Sequence, residues 1–188
     1  MEKLSIVKER QENYERARQD VVKYIGKDLT HDFIKRIHAS IMGLDVPCGY
    51  RAGSGSCQVR NQRTSEVVFL SPDCVIIDIQ KEMQKLLDWY AKNKSMLSVV
   101  EIAAFLHWAI VKIHPFSNGN GRTARLLVLF VLFNHGYSDS KGRTLEEYFE
   151  TNRIAYDKAL DDGKLMYVNF ANFSAEWLAF VEEGLECC

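Results

Sequence analysis

The chain has 188 residues, 47% of them apolar, and a formal net charge of −1, which suits one compact domain with a buried core. Acids and bases are interspersed, so no bulk positive field argues for a nucleic-acid partner. Cys48, Cys57, Cys74, Cys187 and Cys188 include no C-x-x-C pair. They therefore indicate neither a zinc site nor a redox motif, and a reducing compartment such as the cytoplasm is the simplest reading. The first residues lack the apolar stretch of a secretory signal, and the run Leu126 to Phe133 is too short to be a transmembrane segment.

In chain order, Ile6 to Tyr24 is polar with spaced apolar positions (Tyr14, Ala17, Val21, Val22), the pattern of a surface helix. Thr30 reads as the N-cap of a second helix, with Phe33, Ile34, Ile37 and Ile41 on its apolar face and an end at Gly43. From Leu44 to Pro72 the texture changes. Pro47, Gly49 and Gly53-Ser-Gly-Ser56 precede β-favouring residues around Val59 and from Val67 to Leu70, a long loop carrying a short hairpin. Such a loop inside a compact domain usually has a function or no fixed order.

Helical spacing resumes at Asp78, with Ile79, Met83, Leu86, Leu87 and Tyr90. The segments Val99 to Ile113 and Arg122 to Phe133 are apolar nearly all round, so both belong in the middle of the fold. Period alone does not separate a buried helix from a strand in the second, but its Leu and Ala favour helix. Further helices are expected over about Thr144 to Leu160 and Asn169 to Glu183. The fold class is all-α, a helical bundle with a short β-hairpin flap.

Between the two central segments runs His114-Pro-Phe-Ser-Asn-Gly-Asn-Gly-Arg-Thr-Ala-Arg125. It lacks the lysine of a P-loop and the spacing of a dinucleotide fingerprint. It still suits an anion. Gly119 and Gly121 allow close approach, successive backbone N–H groups there form a nest, and the helix that follows favours negative charge at its start. Arg122 and Arg125 lie three apart on one face of that helix. Cations at a helix N-terminus oppose its dipole, so an arginine pair there makes sense when an anion joins it. His114, before a proline, sits at the end of the preceding helix, and an imidazole is the natural base for a hydroxyl nucleophile. Phe116 is expected to bury its ring and pin the loop. His31, His38, His107 and His135 show no metal-ligand spacing and read as structural or surface residues.

This stretch resembles the signature of the Fic family, His-Pro-Phe-x-(Asp or Glu)-Gly-Asn-Gly-Arg-x-x-Arg. Every specified position but one matches in register. The upstream hairpin, with Tyr50-Arg51 entering it, and the downstream helices extend the resemblance from about Thr30 to the C-terminal helix. One Fic domain over residues 1–188 follows, with an N-terminal helix to about residue 25, a loop and flap over about 44–72, and the motif at 114–125. The resemblance implies AMP transfer from ATP to a Ser, Thr or Tyr hydroxyl of a target protein, with release of pyrophosphate. By position, His114 would take the hydroxyl proton. Asn120 with the Gly119 and Gly121 backbone would hold the α- and β-phosphates, Arg122 the β- and γ-phosphates, and Arg125 the γ-phosphate. Val67, Val68 and Phe69 resemble the flap that aligns a target backbone by strand addition, and Tyr156 a tyrosine lining the adenine pocket.

One position departs. The family's acid, which holds Mg²⁺ or Mn²⁺ against the phosphates, is Asn118 here. An amide oxygen brings no charge, so metal binding is expected to weaken. The expected partners are a target protein and the nucleotide, and a homo-oligomer stays open, as does delivery of the chain into a host cytosol. Besides AMP transfer, two alternatives stand: a catalytically impaired nucleotide-binding or regulatory domain, and transfer of another phosphate-containing group or removal of AMP. The family's autoinhibitory Ser/Thr-x-x-x-Glu-(Gly or Asn) pattern is met by Ser5 and Glu9, but Arg10 stands in its last place.

Overall fold

The computed structural model describes residues 2–51, 58–60, 67–70, 78–160 and 174–187. Among these it has eight helices, α1 (Glu2–Val22), α2 (His31–Met42), α3 (Ile79–Asn93), α4 (Val99–Ile113), α5 (Asn120–Asn134), α6 (Asp139–Thr151), α7 (Arg153–Leu160) and α8 (Ala175–Glu186). Two short strands, β1 (Gln58–Arg60) and β2 (Val67–Leu70), pair antiparallel with Gln58 opposite Leu70 and Val59 opposite Phe69. The Gly53-Ser-Gly-Ser56 stretch lies outside the described residues.

Helix starts follow local chemistry. Thr30, Asp78, Ser98, Ser138 and Ser174 each accept an N–H from the first turn that follows, as side-chain caps do. Ser98 and Glu101 complete a capping box. The helix expected from Thr30 to Gly43 is found with those caps. On α1, Ala17 and Val21 are buried but Val22 faces solvent.

The pair α4 and α5 forms the centre, and α1, α2, α3 and α8 pack around it. Nearly every side chain of α4 from Ile102 to Ile110 is buried, as is the run Leu126 to Leu132 of α5. That is the outcome expected for helices apolar all round. Trp177 of α8 is fully buried and donates its indole N–H to Ala104 O at 2.8 Å.

The single helix expected over Thr144 to Leu160 is instead two. It starts earlier, at the Ser138 cap, and breaks at Asn152. There both the backbone N–H and the side-chain amide donate to Tyr148 O, at 2.9 and 3.1 Å, a local competition that favours ending a helix. Gly142 lets α6 approach α5: a Cβ there would stand 2.3 Å from Leu129 Cδ2. The last helix, expected from Asn169, starts at the Ser174 cap and ends at Glu186; residues 169–173 lie outside the described ones.

Candidate active site

The end of α4, the start of α5 and the end of α2 meet at one place. His114 caps α4 in the left-handed conformation, φ 53 and ψ 57, and is the one non-glycine residue with positive φ among the described residues. That conformation costs an L-residue roughly 1–2 kcal/mol. Pro115 disfavours further helix, and Arg51 straps the turn from outside. Its backbone N–H donates to Pro115 O at 2.8 Å and its Nε to His114 O at 2.7 Å. The Nδ1 of His114 lies 3.3 Å from Val111 O. A carbonyl only accepts, so Nδ1 carries the proton and Nε2 keeps its lone pair. Burial lowers the pKa of this imidazole; the Val111 bond opposes the shift and the Arg51 charge adds to it. The base form is therefore the resting form at neutral pH.

Phe116 buries its ring as expected, and His38 stacks on it with centroids 3.7 Å apart and planes within 4°. Asn120 departs from expectation. Its amide bridges the loop, accepting from Phe116 N–H at 2.9 Å and donating to Phe116 O at 2.7 Å, and the residue is 3% exposed. Both ends of this side chain serve the loop backbone instead of facing a phosphate, because an inward loop must satisfy its own polar groups. Asn118 Oδ1 accepts the Gly119 N–H at 2.7 Å. Gly119 has φ 80, and a Cβ there would stand 3.3 Å from Met42 Sδ and 3.4 Å from His38. At Gly121 a Cβ would meet nothing within 4 Å among the described residues. No side chain caps α5, so the N–H groups of Asn120, Gly121 and Arg122 remain without intrahelical partners.

The arginines flank this opening. Arg122, half-buried, has among the described residues only long contacts, 3.4 Å to Ile41 O and 3.7 Å to Met42 Sδ. Burial, then the charges of Arg10 and Arg125, lower its pKa: a cation among cations, with no carboxylate paired to it among the described residues. Arg125 pairs loosely with Glu150 at 3.6 Å. Burial opposes its charge, but Tyr14, Tyr156, Glu150 and Glu146 outweigh it and raise its pKa. Helix α1 is fastened beside these groups. Tyr14 donates to Glu146 and Arg18 pairs with Glu146, while Arg18 also reaches Asp139 at 2.7 Å.

Ser5 and Glu9 are exposed, and Glu9 has no ion pair among the described residues; α1 turns Arg10 and Tyr14 toward the arginines instead. Tyr156 is 4% exposed and sits in the core, its hydroxyl 3.1 Å from His107 Nε2 and its ring edge-on to Trp177. Among the described residues, the aromatic cluster of Phe149, Trp177 and Phe180 surrounds its ring. Val67, Val68 and Phe69 form part of β2, where Phe69 and Val67 face Val59 and Arg60 in the ladder. Among the described residues no group of three or more His, Cys, Asp or Glu could hold a metal.

Sequence reasoning missed His38 and Arg51 as parts of the site. Their only signal was indirect: His38 lies four residues after Ile34 on the buried face of its helix, and Arg51 follows the tyrosine already noted at the flap.

A family model described as "Fic/DOC family" matches residues 28–132. The chain belongs to the Fic/DOC family. Among relatives of this Fic/DOC chain, a protein adenylyltransferase Fic of Nematostella vectensis is 34% identical over 113 residues, covering 60% of this chain and 25% of that protein. Protein adenylyltransferase fic-1 of Caenorhabditis elegans is 28% identical over 132 residues, 68% of this chain and 24% of its own length. The chain thus spans about a quarter of the curated adenylyltransferases it matches. A crystal structure of a Fic domain containing signaling protein from Bacteroides thetaiotaomicron superposes with a TM-score of 0.69 at 26% identity, over 95% of this chain and 67% of that one.

Proposed function

We propose that this Fic domain transfers AMP from ATP to a Ser, Thr or Tyr hydroxyl of a target protein. The observation that carries the reading is His114: a neutral imidazole with Nδ1–H turned to Val111 O and a lone pair left on Nε2, at the rim of an uncapped helix start flanked by two arginines. In the reaction, Nε2 takes the proton of the target hydroxyl as its oxygen attacks the α-phosphorus. The new O–P bond forms as the bond to the β-phosphate oxygen breaks, and pyrophosphate leaves. The Gly121 backbone and first-turn N–H groups of α5 receive phosphate oxygens, and Arg122 and Arg125 balance the charge on the leaving pyrophosphate. Positioning and charge neutralisation carry most of such a transfer. The β1–β2 pair would align an extended target segment by strand addition.

Asn118 fits a divalent cation poorly. It brings no charge and its oxygen already accepts the Gly119 N–H, whereas Mg²⁺ prefers carboxylate and phosphate oxygens. No step is therefore assigned to a metal. The same observation favours a second reading, a domain that binds nucleotide with impaired transfer.

Labelled ATP separates the two when wild type, His114→Ala and Asn118→Asp are compared for target labelling and self-modification in Mg²⁺ and Mn²⁺. Labelling by wild type that His114→Ala loses supports transfer. Equal labelling by wild type and His114→Ala refutes the role of His114. Binding of ATP without labelling, restored by Asn118→Asp, supports the impaired domain.

A further inference from the structure

We infer that His38, on α2, is a positioning residue for the phosphate loop. It fixes the peptide between Asn118 and Gly119, and through it the aim of the first turn of α5. Three sides of this one ring touch the loop or its support. Its face lies flat on Phe116, its Nε2 is 3.0 Å from Asn118 O, and its Nδ1 is 3.5 Å from Cys48 Sγ. The Asn118 carbonyl only accepts, so Nε2 carries the proton and Nδ1 is left to accept the Cys48 S–H. His38 is 5% exposed, and its edge approaches Gly119 so closely that a Cβ there would stand 3.4 Å from Cδ2.

The reason such a pin is needed lies in the glycine. Gly119 visits positive and negative φ with similar ease, so a loop ending in it does not fix its own peptide planes. His38 holds the carbonyl side of the Asn118–Gly119 peptide, and Asn118 Oδ1 holds its N–H side at 2.7 Å. The Gly119 carbonyl in turn accepts Thr123 N–H at 2.9 Å and Thr123 Oγ1–H at 3.0 Å. His38 and Asn118 thus hold the peptide before Gly119, and Thr123 holds the carbonyl after it. The first-turn N–H groups of Asn120, Gly121 and Arg122, which have no intrahelical partner, follow directly on these two peptides. The same end of α2 supplies Ile41 O and Met42 Sδ to Arg122, so one helix steadies both the backbone and a cation of the site.

The consequence for nucleotide binding rests on the adenylyltransferase reading; the hold on the loop does not. The test uses His38→Gln, whose amide keeps a donor, His38→Met, of similar shape without one, and His38→Phe, which keeps the stacked ring. Amide hydrogen exchange at Phe116 and Thr123 is compared with reference amides in α3, and ATP affinity is read by calorimetry. With Met or Phe, the loop amides should exchange up to roughly tenfold faster while α3 is unchanged, and ATP affinity should fall by a similar factor. Gln should restore most of both. Loop exchange as slow as wild type in Met and Phe, or no recovery with Gln, would overturn the assignment, as would loosened loops that bind ATP normally. If wild type binds no ATP, the adenylyltransferase reading fails, while the exchange contrast still decides whether His38 holds the loop.

Discussion

Asn120→Ala should destabilise the domain even without nucleotide. Asn120 makes two hydrogen bonds with the backbone of a single residue, accepting from Phe116 N–H at 2.9 Å and donating to Phe116 O at 2.7 Å. Asn120 and Phe116 are 3% and 1% exposed. Truncation leaves both backbone groups without a partner, and each buried orphan costs about 1–3 kcal/mol. Water entering the space left behind would soften this, so the loss should be about 3 kcal/mol, with Tm lowered by about 6–12 °C. Asn120→Asp is the sharper companion. It keeps an acceptor for Phe116 N–H but turns an oxygen toward Phe116 O, so it should also destabilise. The assay is urea unfolding followed by circular dichroism with no nucleotide present. A residue that served only phosphate would be neutral there. A loss below about 0.5 kcal/mol with an unchanged m-value would refute the reasoning that Asn120 builds the loop.

Gly142→Ala should cost about 1–3 kcal/mol by overpacking, since the added carbon would stand 2.3 Å from Leu129 Cδ2; an unchanged urea midpoint would refute it. Stability should fall on acidification through His107, which is fully buried and whose pKa burial holds well below its ordinary value, helped by the charges of Arg125 and Arg153. The folded state keeps this ring neutral while the unfolded chain takes up a proton near pH 6.5, so its contribution is whole above about 6.5 and declines toward the folded value below it. Urea midpoints at pH 7.5 and 5.5 should therefore differ, and by less in His107→Gln. Glu150→Gln should tighten ATP binding by up to about fivefold, more at low salt, by removing the 3.6 Å partner that a phosphate would have to displace at Arg125. Weaker or unchanged binding by calorimetry would show that Glu150 does not compete.

Much of the fold was legible because it follows from neighbours in sequence. Thr30 and Gly43 announced a helix whose caps are found in place, and the apolar all-round segments 99–113 and 122–133 announced two helices that are found buried. The span 144–160, read as a single helix, failed at a local competition, where Asn152 and its own backbone both claim Tyr148 O. The helix also begins earlier than its apolar spacing suggested, at the Ser138 cap, with Gly142 inside it where α6 meets α5.

The site divides the same way. The sequence by itself determined which residues form the loop between the two central helices, that glycines and arginines gather at its end, and that an imidazole opens it; these are contiguous, so their chemistry is local. Tertiary structure decided what each group faces. It turned Asn120 inward onto Phe116, enclosed Tyr156 among aromatic rings, left Glu9 exposed and brought Tyr14 and Arg10 to the arginines. It also supplied His38 and Arg51 from 80 and 63 residues away. The physical reason is range: caps and periodicity act over one helical turn, whereas the partner of a buried polar group is chosen by whichever distant element packing brings within about 3 Å.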